Sequence, residues 1–458
     1  MKMPEKNKKD NALMRTYESI CLGVPEVLLP GPGLDLEKWA IIACDQYTSE
    51  PEYWDRVSRF VGDAPSTLNL IYPEVYLGEK DPDVRIARIR KAMKDYLDQR
   101  LFVGSKGFIY IERTVGRRTR HGLMVCLDLE HYDFRKSATS LIRATEGTIL
   151  ERIPPRVKIR EGAPIELPHI MVLIDDPANS VIGPLEAKKS RLARLYDFEL
   201  MLGSGHLSGY RVEDPALESA IIAGLKTMAE AEGFIKKYGL KPGTPVLLFA
   251  MGDGNHSLAT AKTIWEKTKE NAPDKKAVLS SALRYALVEL VNLHDEALVF
   301  EPIHRVLFGI AKGSNVVEEI SRFYHGRADF TSVSTLESMR AEVDGQKGGT
   351  HKIGTLAADG FGVVEVRKPE SNLPVGTLQS FLDAFLKDQS AQGIDYVHGD
   401  DPVVKLGTKP GNMGFFVPAM RKEELFKTVI LDGALPRKTF SMGEAWEKRF
   451  YMEARRLA

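Results

Sequence analysis

The chain has 458 residues, with 63 Lys+Arg against 63 Asp+Glu, 43% hydrophobic and 28% charged residues. These are ordinary values for a globular protein of about two to four structural units. A zero formal balance removes the usual electrostatic case for a nucleic-acid or membrane-surface partner, yet leaves local basic clusters able to hold a small anion. Cys21, Cys44 and Cys126 are odd in number and form no CxxC, which excludes a disulfide scaffold or zinc knuckle and points to a reducing cytosol.

Residues 1–16 read as a polar tail. Its start lacks the apolar core of a signal peptide, and no apolar run approaches the roughly 20 residues that span a bilayer. A soluble, cytoplasmic protein with no membrane partner is expected. Pro25, Pro30 and Pro32 preclude a long helix early on. The run WAIIACD reads as a buried strand with Asp45 at its tip. DPDVRIARIRKAMKDYLDQRLF has helical spacing, with Asp81 as cap and Pro82 in the first turn. GFIYIERT and HGLMVCLDL read as a hairpin whose basic connection, VGRRTR, is most simply a solvated turn.

From Ser140 the chain carries Arg143, Glu146, Arg152, Arg156 and Arg160 ahead of a strand-like HIMVLIDD. A long charged helix is expected around Leu185–Leu202, a capped helix over DPALESAIIAGLKTMAEAEGF, and strand, tight loop and helix over TPVLLFAMGDGNHSLATAKTIWEKTK. ALRYALVELVNL and EALVFEPIHRVL read as strands, NVVEEISRFYHG and FSMGEAWEKRFYMEARRL as helices. The alternation predicts an α+β protein, with a main α/β region at 17–310 and a C-terminal mixed region at 311–458 packed on it.

The strongest chemical signal is Met251-Gly252-Asp253-Gly254-Asn255-His256-Ser257. A strand running through two glycines into a helix lets the backbone approach a ligand, and the first N–H groups of the helix can bind phosphate oxygens. Asp253 can hold a cation or orient a hydroxyl, and His256 can donate to a phosphoryl oxygen. The same residues also make a plain turn with Asn255 or Ser257 as helix cap, and spacing alone leaves both readings open. Arg143 and Arg152 bracket Glu146, a pattern that can hold a polyanion with Mg²⁺ but by itself reads first as helix-surface ion pairs. Asp45 can act as a general base or close a turn. No His pair has zinc spacing, and the Ser441 of KTFS reads as a helix cap rather than a nucleophile.

IIACDQYTSEPEYW, SLIRATEGTILERIPPR, MGDGNHSLATAK, VNLHDEALVFEPIHRVL and LPRKTFSMGEAWEKRFYMEAR resemble the uncharacterised family DUF1015, whose central motif is usually similar to DGHHRYxxA. Asp253, Gly254 and His256 fit that motif, while Asn255 and Ser257 replace a His and an Arg. The DGxH core in turn resembles the ParB/sulfiredoxin-like superfamily, which includes kinases of free L-serine. The resemblance implies a ParB/sulfiredoxin-like mixed α/β domain with an additional mixed subdomain, and ATP, ADP or pyrophosphate as phosphate donor. It also implies Asp45 as the base.

Two functions follow. One is a phosphotransferase acting on a small hydroxylated metabolite, L-serine favoured, with phosphoserine dephosphorylation as its reverse. Asp45 would take the proton, Asp253 and Glu146 would hold Mg²⁺, and Gly254, Asn255, His256 and Ser257 would cradle phosphates. Arg143 and Arg152 would neutralise the transferred group. The other is a ParB-like regulatory protein that binds a nucleotide or phosphate without fast catalysis. The neutral balance and the lack of a helix-turn-helix argue against nucleic acid, and oligomeric state is not legible.

Overall fold

All eight residues of the strand Tyr285–Asn292 are buried, as befits an apolar run covered on both faces of a sheet. In the computed structural model, which describes residues 14–457, this strand lies at the centre of an eleven-stranded mixed sheet. It pairs antiparallel with Arg118–Asp128 and, through Met171–Ile174, parallel on its other side. Met171–Ile174 is followed in the sheet by Phe249–Asp253 (antiparallel) and then Ile142–Arg143 (parallel to Phe249–Asp253). A second, seven-stranded sheet is built from Phe300–Phe308, Ala328–Val333, Thr350–Ala357, Gly360–Arg367, Gly393–His398, Met413–Phe416 and Phe440–Met442. The protein is thus a mixed α/β molecule with two large sheets, the first mixed and the second antiparallel, beside three two-stranded ones. Most of the polar tail read at 1–16 lies outside the described residues, and Thr16–Tyr17 pairs with Leu22–Gly23. Among the described residues no helix is long and apolar enough to cross a membrane.

Sheet membership divides the chain differently from the expected boundary after residue 310. Phe300–Phe308 already belongs to the second sheet, and the last strands, Phe450–Tyr451 and Arg455–Arg456, return to pair with Ile41–Ile42 and Ile165–Glu166.

Several local expectations are corrected. The segment Leu185–Leu202 holds only a short helix, Gly183–Lys188, before the edge strand Ala193–Glu199. Cross-strand packing explains the change: Tyr196 pairs with Gly209, and its ring fills the space a side chain there would need. The helix Pro82–Asp98 forms with Pro82 in its first turn, but Asp81 makes no capping hydrogen bond. DPALESAIIAGLKTMAEAEGF splits into Pro215–Met228, capped by Asp214, and Ala231–Tyr238.

The expected C-terminal helix is absent. Ser441 sits in the short strand Phe440–Met442 and caps nothing. Residues 449–455 are all buried, which an amphipathic helix with solvated charges cannot satisfy. Their charges instead turn inward. Arg449 pairs with Glu289 and Glu453, Arg120 shares Glu289 at 3.4 Å, and the Tyr196 hydroxyl donates to Glu453. Gly122 leaves room for the Glu289 carboxylate, whose oxygen lies 2.4 Å from where a Cβ would stand. Breaking such a buried network by removing one partner costs about 3–5 kcal/mol, so the C-terminal strand is firmly anchored on the first sheet.

Candidate functional site

Asp253 ends the strand Phe249–Asp253, and Gly254 turns the chain with φ +79° into the helix Asn255–Asn271. A Cβ on Gly254 would lie 3.1 Å from the Cα of Ile170, so both the conformation and the close approach require glycine. No side chain caps this helix. Asn255 leaves its buried Oδ1 without a partner, and Ser257 turns its hydroxyl to His169. The plain capped turn is therefore not what these residues build. The first N–H groups of a long helix stay available to an anion.

His169 precedes the strand Met171–Ile174 and is 9% exposed. Its Nε2 lies 3.0 Å from Ser257 Oγ and 3.8 Å from Asp45 Oδ2, and its Nδ1 lies 2.7 Å from the Tyr451 hydroxyl. Tyr451 Oη also accepts the Cys44 N–H at 3.2 Å. With Nδ1 engaged by Tyr451, Nε2 faces Ser257 and Asp45. WAIIACD is not the single strand expected: Trp39 ends the helix Leu36–Trp39, only Ile41–Ile42 is extended, and Asp45 stands in the turn beyond, accepting from the Gln46 amide at 3.0 Å.

Asp253 is 27% exposed. Burial raises its carboxyl, but Lys448 at 3.2 Å, His169 and the Gly254 N–H outweigh that and hold it below the usual carboxylate range. His256 accepts the Ile149 N–H on Nε2 at 3.3 Å. Burial, Arg156 and Arg152 bring its imidazole down to about 4, so at neutral pH it is uncharged with its proton on Nδ1. Glu74 is paired with Arg156, and burial together with Asp45 raises its carboxyl against that pairing.

The expected residues do not all converge. Arg152 is exposed beside His256 with no ion-pair partner among the described residues. Arg143 stands apart from the phosphate role expected of it. Its guanidinium donates to the carbonyls of Ser140, Pro245 and Val246, at the end of the Phe249–Asp253 strand opposite Asp253. Arg156, by contrast, lines the cavity with His169 and Ser257. Glu146 lies near enough to Asp253 to feel its charge, and burial raises its carboxyl while Lys438 opposes. Among the described residues no three His, Cys, Asp or Glu side chains cluster to hold a metal. Asp253 and Glu146 are two carboxylates of the kind that hold Mg²⁺ when substrate phosphates complete the shell.

His169, Glu74, Lys448 and Tyr451 were not singled out from the sequence. One wall of the site is apolar: Leu70, Ile71, Met93, Ile159 and Ile165 line a cavity of about 130 Å³ whose polar rim is Glu74, Arg156, His169 and Ser257.

The family model described as a protein of unknown function (DUF1015) matches residues 28–385. No curated protein matches. Among solved structures, a free serine kinase mutant in complex with AMP aligns at 10% identity and a TM-score of 0.36, covering 71% of this chain and 90% of that one. A free serine kinase mutant in complex with ADP gives 9%, 0.35, 73% and 92%. A conserved hypothetical protein from Pyrococcus furiosus gives 11%, 0.35, 71% and 93%.

Proposed function

The chain belongs to the DUF1015 family, and we propose that its site transfers a phosphoryl group to the hydroxyl of a small metabolite, free L-serine being the favoured acceptor. The observation that carries this reading is the uncapped helix start at Asn255, set beside Asp45, His169 and Ser257. The N–H groups from Asn255 to Ser257 cradle the phosphates at the turn that Gly254 makes, its own N–H being held by Asp253, and His256 donates from Nδ1. Arg152 and Arg156 offset the charge on the transferred group, where phosphoryl transfer most needs electrostatic help. Asp45 takes the acceptor proton as the new O–P bond forms and the bond to the donor's leaving phosphate breaks. Asp253 and Glu146 would hold Mg²⁺, which supplies charge neutralisation on the phosphate oxygens.

The apolar cavity beside Arg156 and His169 has room for about nine water-sized atoms. That favours a donor with a flat apolar body, ATP or ADP, over bare pyrophosphate. The strand–glycine–helix turn supports a ParB/sulfiredoxin-like arrangement of the motif-bearing unit. One observation favours the second reading, a nucleotide- or phosphate-binding regulator: Lys448 already occupies Asp253. Phosphorus NMR of the protein with Mg²⁺, L-serine and ATP, ADP or pyrophosphate in parallel tubes separates the two. A new phosphomonoester signal at the phosphoserine position is expected. Intact donors with broadened resonances would leave the binding protein standing instead.

A further inference from the structure

The hairpin formed by Phe108–Val115 and Arg118–Asp128 places Arg113 directly opposite Arg120. Like charges at paired positions destabilise a sheet unless something lies between them. Both are buried, at 2% and 8% exposure. Arg113 donates only to the carbonyls of Thr114, Ser204 and Trp446, and its buried Nε has no partner. Arg120 reaches Glu289 and the Glu447 carbonyl at 3.4 Å each, and Glu289 is shared with Arg449. Arg118 has no ion-pair partner among the described residues. Together with Lys448 these three arginines line a small cavity whose only carboxylate-bearing walls are Asp253 and Glu447. Asp253 is already matched by Lys448. The tip of the basic connection, Gly116 to Arg118, is the exposed turn expected of it, and Arg120 alone of its arginines is buried.

The cavity measures about 30 Å³, room for about two water-sized atoms. That suits a carboxylate better than a phosphate. Asp253 is common to this cavity and to the phosphate cradle, so a short molecule can reach both. We propose that the arginine cavity binds the carboxylate of the acceptor, which makes the acceptor class a short hydroxy or amino acid. The assignment of an acceptor rests on the phosphotransfer reading; the anion site itself does not.

The test has two arms. In the first, the Nε–H resonances of Arg113 and Arg120, assigned through single lysine replacements, are followed as the full chain is titrated with sodium acetate or inorganic phosphate at fixed ionic strength. Saturable shifts with acetate are expected, weaker with phosphate. Loss of one charge-assisted hydrogen bond in Arg118→Ala should weaken acetate about tenfold. Non-saturating shifts, an unchanged Arg118→Ala or phosphate binding as tightly as acetate would overturn the assignment. In the second arm, phosphoryl transfer to L-serine is compared with transfer to ethanolamine, which keeps the hydroxyl and lacks the carboxylate. A kcat/KM for ethanolamine about tenfold or more below that for L-serine is expected. Equal turnover of both refutes the carboxylate site and leaves phosphotransfer intact. Saturable acetate binding with no turnover of either refutes phosphotransfer and leaves the anion site intact.

Discussion

The hydroxyl of Tyr451 lies 2.7 Å from Nδ1 of His169. The contact joins the C-terminal strand to a histidine 282 positions earlier in the chain, and Tyr451 lies beyond the residues that match the family model. The same oxygen accepts the Cys44 N–H, and its contact with Nδ1 holds the ring with Nε2 toward Ser257 and Asp45. Tyr451 is a positioning residue.

Tyr451→Phe should therefore cost only about 1 kcal/mol of stability while lowering turnover about 10- to 100-fold through misplacement of His169. Urea denaturation and kcat, measured together, check this. The nitrogen-15 shifts of His169 should also move as Nδ1 loses its hydroxyl partner, a change that a merely destabilised protein would not show.

Arg143 and Arg152 should behave in opposite ways. Arg143→Met leaves three main-chain carbonyls without their donor, so it should lose at least about 1–3 kcal/mol of stability with little change in the KM for the donor. Arg152→Ala should leave stability within about 0.5 kcal/mol, as exposed substitutions do, and raise the KM for the donor. A stable Arg143→Met with weakened donor binding would return Arg143 to the phosphate site.

Gly254→Ala introduces a side chain at φ +79°, 3.1 Å from Ile170 Cα. The strain should destabilise the fold by about 1–3 kcal/mol and tilt the helix start away from the ligand. Donor binding by calorimetry should weaken even at temperatures where the variant remains folded.

His256 gives a pH signature. Its folded value, about 4, lies below the ordinary 6.5, so between these values the unfolded chain binds the extra proton. Its contribution is fully present above pH 6.5 and is lost as pH falls toward 4. Glu74 and Glu146, whose carboxyls are raised, act in the opposite sense above their ordinary value of 4.5. The comparison with His256→Gln removes them: the stability difference between wild type and variant should shrink from pH 7 to pH 5 in urea denaturation. A constant difference would contradict a neutral, half-buried His256.

What could be read locally in the sequence was read correctly where one segment decides its own shape. The turn from Asp253 through Gly254 into a helix needs only an apolar strand, a glycine and a helix former, whereas the run before Asp45 was read as one strand and keeps only Ile41–Ile42 extended, because Trp39 closes a helical turn capped by Asp35. Glu74, His169, Lys448 and Tyr451 escaped because each becomes meaningful only beside residues far away in the chain. The segment around Arg449 was misread for the same reason. Its charges have helical spacing, yet Glu289 and Arg120 offer buried partners that local patterning cannot reveal. Arg143 by its neighbours read as a surface ion pair and only under the phosphotransfer hypothesis as a phosphate ligand, whereas it serves the carbonyls of Pro245 and Val246, across the sheet.

The central claim is that Asp253 and the helix start behind it form a phosphotransfer site. It is tested most directly by phosphorus NMR of wild type and Asp253→Ala side by side, with Mg²⁺, L-serine and the donor. The account predicts a growing phosphoserine signal in the wild type and none in the variant, with both proteins folded by circular dichroism. Equal signals in the two, or none in either, would contradict it.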